Sequence, residues 1–343
     1  MAQMIVKKLL RFLVMLFGVV LIMFVLIHAI PGSPLSNYSN AQKGLQTYSI
    51  DRTTLRVFDQ RFGLDLPLWR QFTRYLIGDT YGEGGSFVCG VICGNLGPSI
   101  SQGGRSVENI LFSPPPGKSF WLSQFGYSIR LVLLGSIIAV GLGVPLGILG
   151  ARKHATASGR VIDVILAAAV SIPNFVLGLL AVIILASWLH LINVLPDWDD
   201  FGQWIVPGFV LALMPMANIA RVLQVAIVNI QNEDYIRTAR AKGLVERRVT
   251  LDHILRNAYA PFVTYLGPTL VELFAGLFIV ESLYSFPGFG RQYWMAVLKL
   301  DYPLILGLTL IYAAGIALVN LIVEITSEII DPRLQVIIEQ DVQ

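Results

Sequence analysis

The sequence predicts an all-α polytopic membrane protein with six transmembrane helices and a large extracytoplasmic segment after the first helix. Its 343 residues are 55% apolar and only 14% charged, whereas soluble domains are usually about 25% charged. The charges are also clustered, which leaves uncharged stretches long enough to cross a hydrocarbon layer of about 30 Å as helices. The six stretches, of which the fifth is interrupted only by Glu272, are 12–30, 131–151, 164–189, 201–220, 257–280 and 303–323.

The first stretch follows a basic leader, as the core of a secretory signal peptide would. Lys7, Lys8 and Arg11 form this leader. The apolar core of a signal peptide has only about 7–15 residues and ends at a cleavage site of small residues. The stretch is longer here, and no such site comes before Pro31. We therefore expect an uncleaved first transmembrane helix.

Charge placement orients the six helices, because short cytoplasmic loops carry an excess of Lys and Arg. The leader, the loop 152–160 and the segment 229–256 are basic, whereas the loop 193–203 has three aspartates and no Lys or Arg. This alternation predicts that both termini are cytoplasmic. It divides the chain into a leader with the first helix (1–30), an extracytoplasmic segment (31–126), a core with five helices (127–330) and a cytoplasmic tail (331–343).

The extracytoplasmic segment contains one predicted amphipathic helix. Pro67 suits the first turn of a helix, and Trp69, Phe72 and Leu76 then fall on one side. Such a helix either lies at the membrane surface, with its aromatic side chains at headgroup level, or packs within its own domain. The sequence leaves both open.

Two cysteines lie in the same segment. Cys89 and Cys93 match no CxxC metal or redox motif. A disulfide between them would close a short ring on the oxidising side of the membrane, but it would be strained if both residues lay on consecutive helical turns. The spacing leaves the pairing open.

The motifs of several functional classes are missing from the sequence. It has no GxxxxGK[ST] phosphate-binding loop, no HExxH zinc motif and no GxSxG nucleophile motif. We therefore predict no catalytic residues and no metal site, since the histidines are scattered over separate loops and helix ends. They are His28, His154, His190 and His253. A net charge of +3 is too small to indicate a nucleic-acid partner.

The predicted inner segment 229–258 has the pattern of two short helices joined at a glycine. Glu233 and Asp234 place carboxylates at a helix start, helix formers continue to Lys242, and Gly243 suits a left-handed helix end. The apolar face of the second helix is formed by residues at helical spacing, namely Leu251, Ile254, Leu255 and Ala258. We expect a basic docking surface. Fixing of the topology and contact with anionic lipid are the alternatives.

The residues of this segment resemble the coupling loop, or EAA region, of bacterial ABC-importer permeases in its dipeptide and oligopeptide form. From residue 235 the chain reads Tyr-Ile-Arg-Thr-Ala-Arg-Ala-Lys-Gly-Leu, and from residue 253 it reads His-Ile-Leu-Arg-Asn-Ala. The family pattern is E-A-A, followed by three residues, G, nine residues and I-x-L-P. In this chain Ala239 occupies the position of the second alanine and Gly243 that of the glycine. The departures from the general pattern, which suit the peptide branch, are Arg237, Thr238, His253 and Arg256.

The resemblance extends over nearly the whole chain. Further matching motifs are Ile-Pro-Gly-Ser-Pro at 30–34, Gly-Asn-Leu-Gly-Pro-Ser at 94–99, Asp-Tyr-Pro at 301–303 and Asp-Pro-Arg at 331–333. Departures concentrate in the outer segment, where 81–93 and 112–121 look like local insertions.

This resemblance implies a B-type permease subunit with the type I ABC-importer fold, located in the bacterial plasma (inner) membrane. It implies ATP-driven import of di- or oligopeptides by alternating access. The implied partners are a second homologous permease subunit, two ABC ATPase subunits, an extracytoplasmic solute-binding protein and membrane lipid. No cofactor is expected on this chain, since ATP and Mg belong to the ATPase subunits. The implied coupling residues are Tyr235, Arg237, Thr238, Ala239, Arg240, Lys242, Gly243, His253 and Arg256.

Polar groups within the spans are candidates for the translocation pathway, because an ionisable side chain in hydrocarbon is costly unless it faces protein or water. These candidates are Asn174, Arg221, Glu272 and Glu281. Glu272 departs from the family, in which a small residue is more usual at this point. It lines the pathway, pairs with Arg221, or forms a hydrogen bond between helices.

Three other functions compete with this prediction. A nickel or other small-solute importer would have nearly the same permease. An ion-coupled secondary transporter would use Glu272 or Glu281 as a proton site, but six spans without an inverted repeat argue against it. A membrane-embedded enzyme would need a catalytic constellation that the sequence lacks.

Overall fold

The computed structural model describes residues 2–30, 60, 62–80, 86–193 and 197–330. The predicted tail 331–343 lies outside them. The α-helices are α1 (Ala2–His28), α2 (Leu68–Leu76), α3 (Val107–Phe112), α4 (Gln124–Arg152), α5 (Ala157–Ser171), α6 (Asn174–Ala181), α7 (Ile205–Gln231), α8 (Asp234–Ala241), α9 (Glu246–Arg248), α10 (Arg256–Leu283), α11 (Phe289–Leu298) and α12 (Tyr302–Ile330). Strands β1 (Gly78–Thr80) and β2 (Phe87–Cys89) pair antiparallel in one small sheet.

The structure has five single helices and one bent helix pair at the positions of the six predicted transmembrane helices. Five helical segments of the described chain are long and apolar enough to cross a membrane: Lys8–His28, Gln124–Arg152, Phe201–Gln231, Phe262–Leu283 and Tyr302–Thr326. The sixth is the pair Ala157–Ser171 and Asn174–Trp188, whose axes are bent by 101°. The all-α polytopic class therefore holds.

The bend lies at Pro173, inside the predicted span 164–189. Ile172 has φ −90° and ψ 122°, and Pro173 has φ −57° and ψ 137°, so two successive residues are extended. The proline ring disfavours the helical conformation of the residue before it, and proline also lacks the N–H that a helix interior uses. After the break the helix resumes as α6 and ends in a π-helical turn, Val182–Trp188.

The described residues form two compact units, one within 1–128 and 287–315 and the other within 129–286 and 316–330. In the second unit α7 lies at the centre, since 61% of its apolar stretch is buried, against 17% for α1 in the first unit. Glycines let α4 approach α7 closely: a β-carbon at Gly147 would lie 2.6 Å from the carbonyl oxygen of Ala220. Small residues permit such backbone contact between membrane helices.

In the first unit, α2 packs against α1. The ring of Phe72 lies 5.9 Å from that of Phe17 and 5.1 Å from that of Phe24, between centroids. Trp69, in contrast, is 69% exposed. The helix thus packs within its own unit through Phe72, which was one of the two alternatives, while Trp69 points away from the unit.

A buried carboxylate caps the last span and holds the outer segment to it. Asp301, fully buried, accepts hydrogen bonds from Ser99 Oγ at 2.5 Å and from the backbone N–H groups of Ile100 at 3.1 Å, Ser101 at 2.8 Å and Leu304 at 3.3 Å. An acidic side chain before a helix satisfies N–H groups that lack partners within the helix. The motifs at 94–99 and 301–303 therefore meet in this part of the fold.

Candidate functional site

The glycine turn forms as the sequence predicts. Gly243 has φ +77°, which is left-handed. Its N–H donates to the carbonyl of Arg240 at 2.9 Å, and the N–H of Leu244 donates to the carbonyl of Ala239 at 3.4 Å. This pair of bonds is the Schellman motif, which needs a residue that tolerates the left-handed conformation. Nothing lies within 4 Å of a β-carbon at Gly243, so the backbone conformation alone selects glycine.

One face of α8 is buried against the ends of membrane helices. Ile236 is fully buried and Ala239 is 7% exposed. We call the buried apolar residues around them the inner cluster, which consists of Ala151, Leu223, Ile227, Ile236, Ala239, Val249, Ile254 and Ala258. These residues come from α4, α7, α8, a second π-helical turn (Val249–Leu255) and α10, so α8 is fixed to three spans at one end.

The opposite face of α8 is exposed. Arg237 and Thr238 lie on it, and Lys242, also exposed, follows the helix directly. The only ion pair of Arg237 within the described residues is a loose one to the exposed Asp234, at 3.6 Å. Tyr235 is 45% exposed, and its hydroxyl accepts a hydrogen bond from Asn257 Nδ2 at 3.1 Å. The face therefore offers cationic and hydroxyl donors to a partner.

Arg240 holds α8 to the following helix. Its guanidinium donates from Nε to Glu246 Oε2 at 3.1 Å and from an Nη to Oε1 at 2.8 Å. This two-bond geometry is the specific form of an arginine–carboxylate pair. The hydrogen bonds lower the pKa of Glu246 below its ordinary value and raise that of Arg240. Both side chains are substantially exposed, so solvent weakens the pair.

The second predicted helix forms, but its buried face differs from the prediction. A π-helical turn, Val249–Leu255, joins α9 to α10 without a break. Because π-helical bonds run from i to i+5, the buried residues are Val249 and Ile254, whereas Leu251 is 49% exposed. Prediction of Leu251 on the apolar face is therefore wrong; Leu255 and Ala258 do pack at the inner cluster.

His253 and Arg256 lie on the same helical run. His253 is partly exposed and Arg256 is exposed. The carbonyl of His253 accepts a hydrogen bond from Asn257 Nδ2 at 2.7 Å, which positions that amide towards Tyr235. Of the coupling residues suggested by the sequence, Ala239 is thus buried in the inner cluster, whereas Tyr235, Arg237, Thr238, Arg240, Lys242 and Arg256 are exposed and His253 is partly exposed.

The intramembrane carboxylate of Glu272 lies beside an amide rather than a cation. Asn218 on α7 donates from Nδ2 to both oxygens of Glu272, at 3.0 and 3.3 Å. Among the contacts of the described chain, none joins Glu272 to Arg221, which is exposed. Of the three sequence alternatives, the interhelical hydrogen bond is present. Asn218 was missed by the sequence analysis, although an asparagine among apolar residues of a span was a visible signal.

Two further pathway candidates occupy different environments. Asn174 is the first residue of α6, and its buried Oδ1 has no hydrogen-bond partner among the described residues. A β-carbon at Gly276 would lie 3.6 Å from Asn174 Nδ2, so Asn174 approaches the same face of α10 as Glu272, one turn away. Glu281 is fully buried near the end of α10. A pathway role for these residues stays a prediction.

The structure joins Cys89 and Cys93 in a disulfide. Cys89 ends β2 and Cys93 ends a 3₁₀ turn, Val91–Cys93, so the two are not on consecutive turns of an α-helix. Within the described ranges, no group of three or more His, Cys, Asp or Glu side chains is placed to hold a metal ion.

The fold and the site together define a class: a multi-pass membrane protein that presents a basic helix at one end of its spans. Residues 143–336 match the family described as "binding-protein-dependent transport system inner membrane component". The chain belongs to this family.

Curated relatives align with nearly the whole chain. The oligopeptide transport system permease protein AppB of Bacillus subtilis is 28% identical over 98% of this chain and 100% of its own length. The dipeptide transport system permease protein DppB of Escherichia coli K12 is 29% identical, over 98% and 99%. A putative peptide permease protein of Brucella ovis is 30% identical, over 94% and 95%. A crystal structure of an amino acid ABC transporter with histidines has a TM-score of 0.46 at 20% identity, over 62% of this chain and 93% of that one.

Proposed function

We propose that this chain is the permease subunit of an ATP-driven importer that moves di- or oligopeptides across a bacterial inner membrane. The relatives named for oligopeptide and dipeptide transport support this cargo, because they align along their full length. The chain supplies the membrane path, while separate subunits bind and hydrolyse ATP with Mg.

The observation that carries this proposal is the two-sided character of α8. Its inner face is fixed to the ends of α4, α7 and α10 through Ile236 and Ala239, whereas its outer face exposes Arg237, Thr238 and Lys242. A helix that only fixed topology would not need a buried apolar face shared with three spans. We propose that α8 docks on one of two ATPase subunits, so that their closure on ATP moves those spans.

We propose two further partners. The six spans share their pathway with a second, homologous permease subunit. An extracytoplasmic solute-binding protein delivers the cargo to the outer side. The alternation of basic and acidic loops supports cytoplasmic termini and a cytoplasmic α8.

Within the pathway, we propose that Asn174, Asn218 and Glu272 form a polar region near the break of the third span. The unpaired Oδ1 of Asn174 and the carboxylate of Glu272 are hydrogen-bond acceptors, which suits the ammonium and amide N–H groups of a peptide. Arg221 and Glu281 belong to the ends of this path.

The glycine turn provides the sharpest test. A left-handed conformation costs a residue with a β-carbon about 1–2 kcal/mol, and a β-branched side chain is a stronger outlier there. We expect Gly243→Val to shift α8 and to abolish most ATP-driven peptide uptake by the complex in proteoliposomes. Gly117→Val is the matched control, since Gly117 has φ +75° and an equally open β-carbon position in the outer segment.

Copurification of the ATPase subunits and ATP hydrolysis, measured beside uptake, distinguish lost docking from lost coupling. Loss of copurifying ATPase subunits in Gly243→Val would mean lost docking, whereas retained subunits with ATP hydrolysis but no uptake would mean uncoupling; both support the proposal. Uptake equal to that of Gly117→Val would refute it. Mass spectrometry of ligands carried by the copurified binding protein tests the cargo, and a metal ion there in place of peptides would overturn it.

A further inference from the structure

A cavity of about 590 Å³ lies beside α8, between the ends of α4 and α7 and the π-helical turn. This volume falls in the range of about 300–1,000 Å³ that is common for ligand sites. Arg152 and Gln231, the last residues of α4 and α7, both line it. Because these two helices span the membrane and end here, the cavity lies at the level of lipid headgroups.

One side of this cavity is apolar and the other side is polar. Its apolar side is formed by Ile148, Ala151, Ile227, Leu251 and Leu255. Leu251 is the residue that the π-helical turn rotates away from the inner cluster, and its exposure is explained if an apolar group occupies the cavity. An apolar surface at the membrane boundary is suited to glycerol ester and acyl-chain carbons.

The polar side carries uncompensated positive charge. Arg240 lines it but is paired with Glu246. Arg152 and Arg247 also line it and are exposed, and among the described residues neither has an ion-pair partner. Two guanidinium groups beside an apolar wall match a phosphate diester attached to a hydrocarbon tail.

We propose that this cavity binds the headgroup and the first acyl carbons of an anionic phospholipid of the cytoplasmic leaflet. Basic pockets between membrane helices on that side are suited to anionic headgroups. The inference rests on the cytoplasmic placement of α8 in the proposed function. A lipid held there contacts the end of α4, the end of α7 and the π-helical turn before α10. It therefore stabilises the packing of α8 against these helices.

The test counts bound lipids on the full-length chain, purified with any subunits that accompany it. Native mass spectrometry follows titration with phosphatidylglycerol, with phosphatidylcholine as the zwitterionic comparison. We expect phosphatidylglycerol to be retained preferentially and glycerol 3-phosphate not to displace it, because the free headgroup lacks the apolar contact. Displacement by glycerol 3-phosphate at similar concentration would instead indicate a free-phosphate site and overturn the lipid assignment.

Charge-matched variants localise the site. Arg152→Gln/Arg247→Gln should weaken phosphatidylglycerol binding roughly 25-fold, since each basic side chain near an anionic headgroup contributes roughly fivefold. Arg160→Gln/Arg248→Gln removes the same charge from exposed positions that do not line the cavity and should bind as the wild type does. Equal affinities of the two double variants would overturn the proposal.

A third variant tests the cavity without changing charge. Thr250→Trp should fill part of it and reduce binding, provided that the variant elutes as the wild type does. Unchanged phosphatidylglycerol binding in this variant would count against the site. Binding that appears only when residues 331–343 are removed would also count against it, because the tail would then be the occupant of the cavity. Lipid counting needs neither ATP nor cargo, so its failure is distinguishable from failure of the Gly243→Val experiment.

Discussion

Replacing Gly147 by alanine should force apart two helices that the structure places in backbone contact. The added β-carbon would lie 2.6 Å from the carbonyl oxygen of Ala220 and 3.2 Å from its Cα, whereas β-carbons essentially never approach other atoms within 3.0 Å. The helices therefore have to separate by roughly 0.4 Å or more. Overpacking of this kind costs about 1–3 kcal/mol, although alanine also gains about 1 kcal/mol of helix propensity over glycine.

A matched substitution on the same helix cancels the propensity gain. Gly141 has nothing within 4 Å of its β-carbon position, so Gly141→Ala receives the propensity term without the clash. The difference between the two variants should be about 1–3 kcal/mol, or roughly 2–10 °C in melting temperature for a domain of this size.

Thermal unfolding in detergent or nanodiscs, followed by tryptophan fluorescence, measures this difference. Because unfolding of membrane proteins is often irreversible, both variants are heated at the same scan rate. Equal melting temperatures of Gly147→Ala and Gly141→Ala would refute the close packing of α4 on α7.

Three further predictions concern the outer segment and the α8 surface. Asp301→Ala should leave buried N–H groups unpaired, at a cost of about 1–3 kcal/mol each, and expose the segment 94–106 to limited proteolysis. Asp301→Asn keeps one acceptor oxygen and should have a milder effect. Equal rates of proteolysis in the two variants would contradict this prediction. Cys93→Ser should lower the free energy of unfolding by about 2 kcal/mol, which is the chain-entropy contribution of a disulfide that closes so short a ring. A reductant should lower the melting temperature of the wild type but not of this variant. The Arg240–Glu246 pair should persist at neutral pH and be lost only in acid, as the pH falls through the lowered folded-state pKa of Glu246. Arg240→Gln should raise this pKa back towards the ordinary value of a glutamate, which NMR of labelled glutamate carboxyls can measure.

The features that the sequence predicts correctly depend on residues close together in the chain. Span positions follow from the length of uncharged stretches. The left-handed turn at Gly243 follows from a glycine after helix formers and before a new helix. In both cases neighbouring residues settle the conformation, so no tertiary information was needed.

Tertiary geometry decided the features that sequence reasoning missed. Proline at 173 indicates a bend, but the 101° angle also needs Ile172 in an extended conformation. The π-helical turn rotates Leu251 outward and Val249 inward, against the spacing of an ordinary helix. Likewise, Asn218 and Glu272 are 54 positions apart in the chain and meet only because α7 and α10 pack together.

The uninterrupted helical run from Glu246 to Leu283 has a mechanical consequence. At about 1.5 Å per residue it is roughly 55 Å long, and its first turns are tied to α8 by the Arg240–Glu246 pair. If a partner tilts this rod by roughly 10° about its inner end, the far end sweeps about 10 Å. A small push at the basic surface is thereby multiplied along the rod. The π-helical turn and the prolines at 261 and 268, which each lack a helix N–H, are the points at which that motion would be absorbed or passed on.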